Sequence, residues 1–360
     1  MNLRKAENHI SPKYCGLTLG KVRILMQAIV IFSGGLDSSL AVRFLQEQSI
    51  ECLLVNFVTQ FHDRSNFAVQ QATALNAPIE VYRTDNSYLK IIANPHWGYG
   101  KAVNPCIDCR IMMCRVAKEM MVKHNADFVA TGEVVGQRPN SQMLHQLELI
   151  ERESQLDGHL LRPLCAKHLP PTDAEKSGLI NRDKLGGFSG RGRTSLINLA
   201  RKLGIKTIPQ PSTGCLLCEK SYAPRLRDLF RYEPNPITWD TEVLSNGRQL
   251  RLNERLKAVV ARNEQQCLRL QDLFNRPNKR PSLMLVPNNF SGTTVMIIGN
   301  DLTQPENITI AKQIATALLL RFTRPDKYNL ESSTVVIHYG ETKSIEPVTI
   351  TSVGQYEDVS

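Results

Sequence analysis

The sequence predicts an α/β protein, a doubly wound parallel sheet followed by a smaller C-terminal α+β domain, on three observations. Short apolar strands alternate with helical periods from Gln27 to Gly132. A turn rich in glycine and serine, FSGGLDSS, follows directly on the first of those strands. Beyond the two prolines of YEPNPITWD the pattern changes to strands flanking one long helical period. Strand and helix alternation argues a parallel sheet covered on both faces, with ligands beyond the carboxyl ends of its strands.

Residues 1–25 lack apolar periodicity and read as a flexible extension, with Met26 an alternative start. The strand AIVIF comes next, then a helix from Ser38 to Gln48, the strand ECLLVNF and a helix across Asn66 to Leu75. The strand IEVYRT, a helix through Cys109 to His124 and the strand DFVATG continue the series. Residues 26–231 are taken as one domain, which includes a basic segment at 162–231. Prolines interrupt any helix at Tyr232 to Asp240, and residues 241–360 form the second domain. Its strands SLMLVP and TTVMIIG flank a turn at Asn288 to Gly292, and a helix starts at Pro305, which suits a first helical position. STVVIHYG and EPVTITSV close it as a hairpin.

The 360 residues are 42% hydrophobic and 22% charged, ordinary composition for a globular protein of two or three domains. No apolar stretch approaches the roughly 20 residues of a spanning helix, and Met1 to Gly20 is too polar for a secretory signal. A cytoplasmic location is therefore expected, where nine cysteines are a poor disulfide framework and CxxC pairs serve metal, cluster or sulfur chemistry. The net charge of +10 is uneven: residues 162–262 hold 19 Lys and Arg against 9 Asp and Glu, leaving 25 against 25 elsewhere. A basic segment of that kind, with Arg in GRGR and RLRDLFR, suits a polyanion.

In FSGGLDSS, Gly34 and Gly35 let the chain turn tightly and bring backbone N–H groups to an anion, while Ser33, Ser38 and Ser39 add hydroxyls. The following helix aims its positive end at the same point. Phe32 to Ser39 is thus a phosphate cradle. It lacks the lysine of a Walker loop, so Asp37 is assigned to holding Mg²⁺ or orienting the loop.

SGGLDS between a strand and a helix resembles the PP-loop of the ATP pyrophosphatases, which form AMP and pyrophosphate while adenylating a carbonyl oxygen. NPCIDCR, ATGEVVGQRPNSQ, LLRPLCAKHLPPT, SGRGR and PSTGCLLC extend the likeness through about Arg231. They resemble the RNA-thiolating branch, the tRNA thiouridylases and ThiI-like 4-thiouridine synthetases, with the adenine nucleotide alpha-hydrolase-like fold. The resemblance implies ATP and Mg²⁺ at Ser33 to Ser39, and an adenosine pocket at Val55 to Phe57, with Asn56 and Phe57, and at Thr131, Gly132 and Glu133. Asp85 and Asp108 are weaker candidates, and Glu133 could instead cap a helix.

Cys106 and Cys109 form a CxxC opening a helix, a position that favours thiolate, and Cys215 and Cys218 form a second. Three readings stand side by side: structural zinc on four thiolates, a [4Fe-4S] cluster with one iron open, which the resemblance suggests on Cys106, Cys109 and Cys215 with Cys218 a spare or fourth ligand, and a persulfide on one cysteine resolved by another. Cys52, Cys114, Cys165 and Cys267 read as packing, and the histidines lack metal-ligand spacing.

The resemblance implies adenylation of a uracil oxygen in RNA, most plainly tRNA, with Cys106, Cys109 and Cys215 then carrying sulfur from a sulfide or persulfide donor. Arg191, Arg193, Arg225 and Arg227 would face the RNA, and Gly186 to Arg193 would be a loop that orders on substrate. GRQLRLNERLKAVVARNEQQC resembles the NFACT RNA-binding module, with Arg248, Arg251, Lys257 and Arg262 on phosphates. A PP-loop ligase for a small molecule and a non-catalytic RNA-binding protein are the alternatives, and the basic segment and intact motifs speak against each in turn.

Overall fold

The computed structural model describes residues 26–208, 210, 214–349 and 352–360. The expected extension 1–25, the PST of PSTGCLLC and the IT pair at 350–351 lie outside the described residues.

The first domain is built on five parallel strands, β1 (Gln27–Ile31), β2 (Glu51–Val58), β3 (Ile79–Arg83), β4 (Phe128–Thr131) and β5 (Leu160–Leu161), in the order β3-β2-β1-β4-β5. Its helices are α1 (Leu36–Gln46), α2 (Ser65–Ala74), α3 (Ser87–Ala93), α4 (Cys106–Lys123), α5 (Leu144–Glu153), α6 (Asp173–Lys176), α7 (Thr194–Lys202) and α8 (Ala223–Tyr232). Alternation along β1 sorts them into two layers, because successive side chains of a strand point to opposite faces. Ala28 and Val30 pack with α1, α2 and α7. Ile29 and Ile31 pack with Ile111, Cys114 and Ala117 of α4 and Ile150 of α5. The sheet is therefore buried on both sides, the doubly wound arrangement that the alternation predicted.

Two boundaries move toward the N-terminus. α1 begins at Leu36 rather than Ser38, so Asp37, Ser38 and Ser39 already lie in its first turn. α4 begins at Cys106, directly behind Pro105, so both cysteines of the first CxxC are helical. α3, α5, α6, α7 and α8 were not anticipated; seven residues of α3 are too few to show a period.

The second sheet is antiparallel, with strands β6 (Arg248–Arg251), β7 (Lys257–Val260), β8 (Ser282–Pro287), β9 (Val295–Ile298), β10 (Thr334–Tyr339), β11 (Thr342–Pro347) and β12 (Glu357–Asp358) ordered β11-β10-β8-β9-β7-β6-β12. One face is covered by α11 (Pro305–Arg321), whose Ala311, Ala315 and Leu318 pack on Leu283, Val295 and Ile337. The other is covered by α9 (Thr238–Leu244) and α10 (Glu264–Phe274), where the Trp239 indole N–H donates to the Leu273 carbonyl at 2.9 Å. The closing hairpin differs from expectation. Its second strand is Thr342–Pro347 rather than EPVTITSV, because a two-residue turn pairs Tyr339 with Thr342 and fixes the register there.

A carboxylate lies at the junction of the two domains. Asp228 on α8 accepts from Arg251 on β6 through both oxygens, at 2.9 and 2.7 Å, and from the Lys257 ammonium on β7 at 3.0 Å. The Arg251 guanidinium also lies over the Tyr232 ring, 4.5 Å from its centroid. Phosphate contact by Arg251 and Lys257 is corrected accordingly: both turn inward, and Lys257 is buried. Burial lowers the Lys257 pKa to about 8 against the attraction of Asp228, whose own carboxyl is held below its usual range by Arg251 and Lys257 in spite of burial.

Removing one partner of a buried ion pair leaves an uncompensated charge, so Asp228→Ala should lower unfolding free energy at pH 7 by roughly 3–5 kcal/mol. The unfolded chain binds the Lys257 proton at its ordinary value of 10.5 and the variant's folded state binds it more weakly, so stability should rise with pH up to that value. Urea melts of wild type and variant at pH 7 and pH 9.5 check this; a deficit that does not shrink at the higher pH contradicts it.

Candidate active site

The strand order reverses at β1, which has β2 on one side and β4 on the other. The crevice beyond their carboxyl ends is the topological switch point of such a sheet, and the FSGGLDSS segment lies there. Phe32 N–H bonds the Val55 carbonyl at 2.8 Å, extending the β1 pairing by one residue. Gly34 then takes φ +74°, and a side chain there would press on the Ala68 backbone at 3.0 Å. Gly35 caps α1, and its N–H donates to the Ser33 hydroxyl at 3.3 Å. Ser38 donates to the Gly35 carbonyl at 3.0 Å and lies 3.3 Å from the Ser33 hydroxyl. The loop is thus braced from within before any ligand arrives.

The end of β4 presses on the same turn. A Cβ at Gly132 would stand 2.5 Å from the Ser38 nitrogen and 2.6 Å from the Asp37 carbonyl carbon, so this position tolerates only glycine without backbone movement. Asp37 accepts from the Gln137 amide at 3.1 Å through one oxygen, and the other is buried without a hydrogen-bond partner among the described residues, as is the Ser39 hydroxyl. Burial raises the Asp37 pKa, opposed by the Gln137 bond and by the charges of Arg193 and Arg138. An unsatisfied carboxylate oxygen beside a loop of N–H and hydroxyl donors fits a hard cation such as Mg²⁺.

Behind this rim lies a buried polar layer. Asn56 donates to the Phe32 carbonyl at 2.9 Å, and Phe57 packs against Tyr82 with ring centroids 5.4 Å apart. Glu133 takes the Thr131 hydroxyl at 3.0 Å, Arg162 at 3.2 Å and Arg110 at 3.5 Å. Arg162 in turn reaches Glu151 at 2.8 Å and the Leu147 carbonyl at 2.9 Å. Burial opposes the Glu133 charge, but Arg110 and Arg162 hold its carboxyl below the ordinary range. Glu133 therefore caps no helix; it anchors the β4 end to α4 and β5, with one oxygen left without a hydrogen bond among the described residues. Asp108 accepts the His96 and Trp97 N–H groups, and Asp85 accepts the Ser87 N–H and hydroxyl.

The second centre collects four thiols from distant parts of the chain. Asn104, buried, donates through one amide nitrogen to Cys215 Sγ at 3.1 Å and Cys218 Sγ at 2.7 Å, and its oxygen accepts from Cys106 Sγ at 3.1 Å. Cys109 turns away to the Tyr88 hydroxyl at 2.9 Å. Burial dominates their acidity, pushing Cys109 up to about 12 and raising Cys106 and Cys215. The thiolate expected from the helix terminus is corrected: desolvation outweighs the dipole here. Among the described residues no three His, Cys, Asp or Glu side chains are spaced to hold a metal ion. An amide stands among the sulfurs where a cluster or zinc would need open space, so as placed these residues do not fit either group.

The charge of Arg138 lowers the pKa of both Asp37 and Cys106 against the larger effect of burial. Of the basic candidates, Arg191, Arg227 and Arg262 are exposed. Arg225 bonds the Leu244 carbonyl at 2.9 Å, while Arg248 lies over Phe322 at 4.8 Å and near Asp358 at 3.8 Å. The glycine loop expected to be mobile is held in its first half: Gly186 N–H bonds Pro163, Phe188 bonds Leu164 and Gly190 bonds Val135. Sequence reasoning missed Asn104, Tyr88, Arg138, Arg162 and Asp228. The signal for Arg162 was present, a single charge inside the apolar run LLRPLCA.

A parallel five-stranded sheet carrying this loop at its switch point defines a PP-loop α/β domain. Within that class, residues 25–168 match the family described as "Thiamine biosynthesis protein (ThiI)", so this stretch is ThiI-like. No curated protein matches the chain. Among solved structures, a predicted subunit of tRNA methyltransferase from Methanocaldococcus jannaschii DSM is 18% identical, with 49% of this chain and 75% of that one covered at a TM-score of 0.33. A 4-thiouridine synthetase, solved as an RNA complex with bound ATP, is 19% identical, with 50% and 52% covered at a TM-score of 0.32. The chain spans about half the length of that synthetase.

Gly132→Ala should separate β4 from the α1 terminus and destabilise the first domain by roughly 1–3 kcal/mol, the usual effect of overpacking. Denaturant melts measure this, and an unchanged midpoint would mean that the approach of β4 to α1 is looser than described.

Proposed function

We propose that the protein is an ATP-dependent RNA sulfurtransferase that converts a uridine, most plainly of tRNA, to a thiouridine. The observation that carries this reading is the cradle of Ser33 to Ser39 at the switch point of the sheet, where one buried Asp37 oxygen lacks a hydrogen-bond partner among the described residues, in a chain whose Asn104 also gathers Cys106, Cys215 and Cys218. One centre would activate a carbonyl oxygen and the other would supply sulfur to the same carbon.

In the first step the cradle N–H groups and the hydroxyls of Ser33, Ser38 and Ser39 hold the β- and γ-phosphates of ATP. Asp37 and its unpartnered oxygen would hold Mg²⁺, which when bound neutralises charge on the departing pyrophosphate. The uracil oxygen attacks the α-phosphorus, the bond to the bridging oxygen breaks, and pyrophosphate leaves. Arg138 and Arg193 add positive charge where that negative charge collects.

In the second step the outer sulfur of a cysteine persulfide attacks the adenylated carbon and AMP departs. A second thiol then attacks the inner sulfur, which frees the thiocarbonyl and leaves a disulfide. A sulfane-sulfur donor loads the persulfide, and a dithiol reductant resets the disulfide. Of Cys106, Cys109 and Cys215, Cys109 is the least suited to exposure, since it is turned to Tyr88. RNA would lie over the exposed Arg191 and Arg227 and reach the second domain, taken here as an NFACT-like RNA-binding module, at Arg262.

The test is AMP and pyrophosphate release with and without bulk small RNA, followed by nucleoside mass spectrometry. RNA-dependent release with a thiolated uridine is expected. Asp37→Ala should reduce that release roughly a hundredfold or more, whereas Cys215→Ser should still form AMP but yield no thiouridine. AMP made equally without RNA points to a small-molecule ligase and rejects the proposal; no AMP under any condition points to a binding protein. Arg227→Ala should weaken RNA binding and reduce the salt slope by about one, measured by fluorescence anisotropy between low and moderate salt.

A further inference from the structure

Cys218 has no role in the chemistry above, yet the chain is shaped around its sulfur. Gly214 takes φ +111°, and a Cβ there would stand 3.0 Å from Cys218 Sγ. The short helix Leu216–Cys218 then sets Cys215 and Cys218 on one turn, with Cys218 N–H bonded to the Cys215 carbonyl at 3.0 Å. Both sulfurs accept from the same Asn104 nitrogen, whereas Cys106 lies on the opposite, oxygen side of that carboxamide. The amide therefore divides the nest into a pair and a single thiol.

We propose that Cys218 is the resolving thiol for sulfur carried on Cys215, and that Asn104 is the positioning residue that selects this pair over one containing Cys106. The inference rests on the persulfide reading given under the proposed function. A disulfide forms only between sulfurs whose Cβ atoms can approach to roughly 4 Å. Cys215 and Cys218 lie 3.1 and 2.7 Å from the same Asn104 nitrogen, while Cys106 meets the Asn104 oxygen instead.

The step balances as follows. Cys218 Sγ attacks Cys215 Sγ, the bond from Cys215 Sγ to the outer sulfur breaks, and an Sγ–Sγ bond forms. The outer sulfur leaves with the electron pair, as the thiocarbonyl sulfur when it is bonded to the activated uracil. Without RNA it takes up the two thiol protons and leaves as hydrogen sulfide. The outer sulfur is reduced by two electrons, and the two cysteines are oxidised by two. A dithiol of the thioredoxin class returns them to thiols.

Sulfide release and disulfide mapping test this without RNA or ATP. The full chain is reduced, loaded with inorganic polysulfide, freed of excess, and followed for sulfide release and by peptide mass mapping. Wild type should release about one sulfide per chain and show a Cys215–Cys218 disulfide. Cys218→Ser should keep the added sulfur on Cys215 and release less than about a tenth as much. Asn104→Ala should yield disulfides containing Cys106, a change of partner that mere loosening of the fold would not produce, and Gly214→Ala should slow release. A dominant Cys106–Cys215 or Cys106–Cys218 disulfide in wild type overturns the proposal, and so does an unchanged map in Asn104→Ala. Should that variant fail to fold, Cys218→Ser decides alone, and release at the wild-type rate overturns the pairing. If the map fails while RNA-dependent AMP formation holds, only the pairing is rejected; the converse rejects the thiolation reading.

Discussion

The approach of Gly132 to the first turn of α1 is the constraint on which the rest of the site depends. The sheet carries β4 beside β1 in parallel register, so their carboxyl ends arrive at one place. The chain leaving β4 can pass the backbone of Asp37 and Ser38 only because residue 132 has no side chain. That contact fixes the direction in which the cradle opens. It also brings the following residues, including Gln137 and Arg138, to Asp37, and Glu133 to the arginines behind it.

Polar groups are placed here in two tiers of different character. At the rim, one oxygen of Asp37 and the Ser39 hydroxyl are buried with no hydrogen-bond partner among the described residues, which suits a ligand that completes them. Beneath it, Glu133 pairs with Arg110 and Arg162, and Arg162 with Glu151, and a buried charge so paired is costly to disturb. In the thiol nest Asn104 holds three sulfurs, and burial raises the pKa of two of them, Cys106 and Cys215.

The junction of the two domains is built from charge that composition assigned to RNA. Asp228 is one of the few acids in a basic segment, and it draws Arg251 and Lys257 inward. The excess that remains outside is therefore smaller than the count of basic residues implies. It is carried by exposed arginines such as Arg191, Arg227 and Arg262.

The sequence by itself determined the strand and helix alternation, the turn at Gly34 and Gly35 and the helix that opens at the first CxxC, because each depends on neighbours within one turn or one strand. The doubly wound sheet could be read in the same way, from apolar runs too uniformly buried for a sheet with a wet face. Tertiary structure alone decided what those residues meet. Asn104 and Cys215 are 111 positions apart, and Asp228 and Lys257 29. Nothing local distinguishes a lysine that faces water from one that faces a buried carboxylate, or a thiol at a helix start that is solvated from one that is not. Those outcomes follow from desolvation and from which distant partner the fold delivers, and both exist only once the chain has closed.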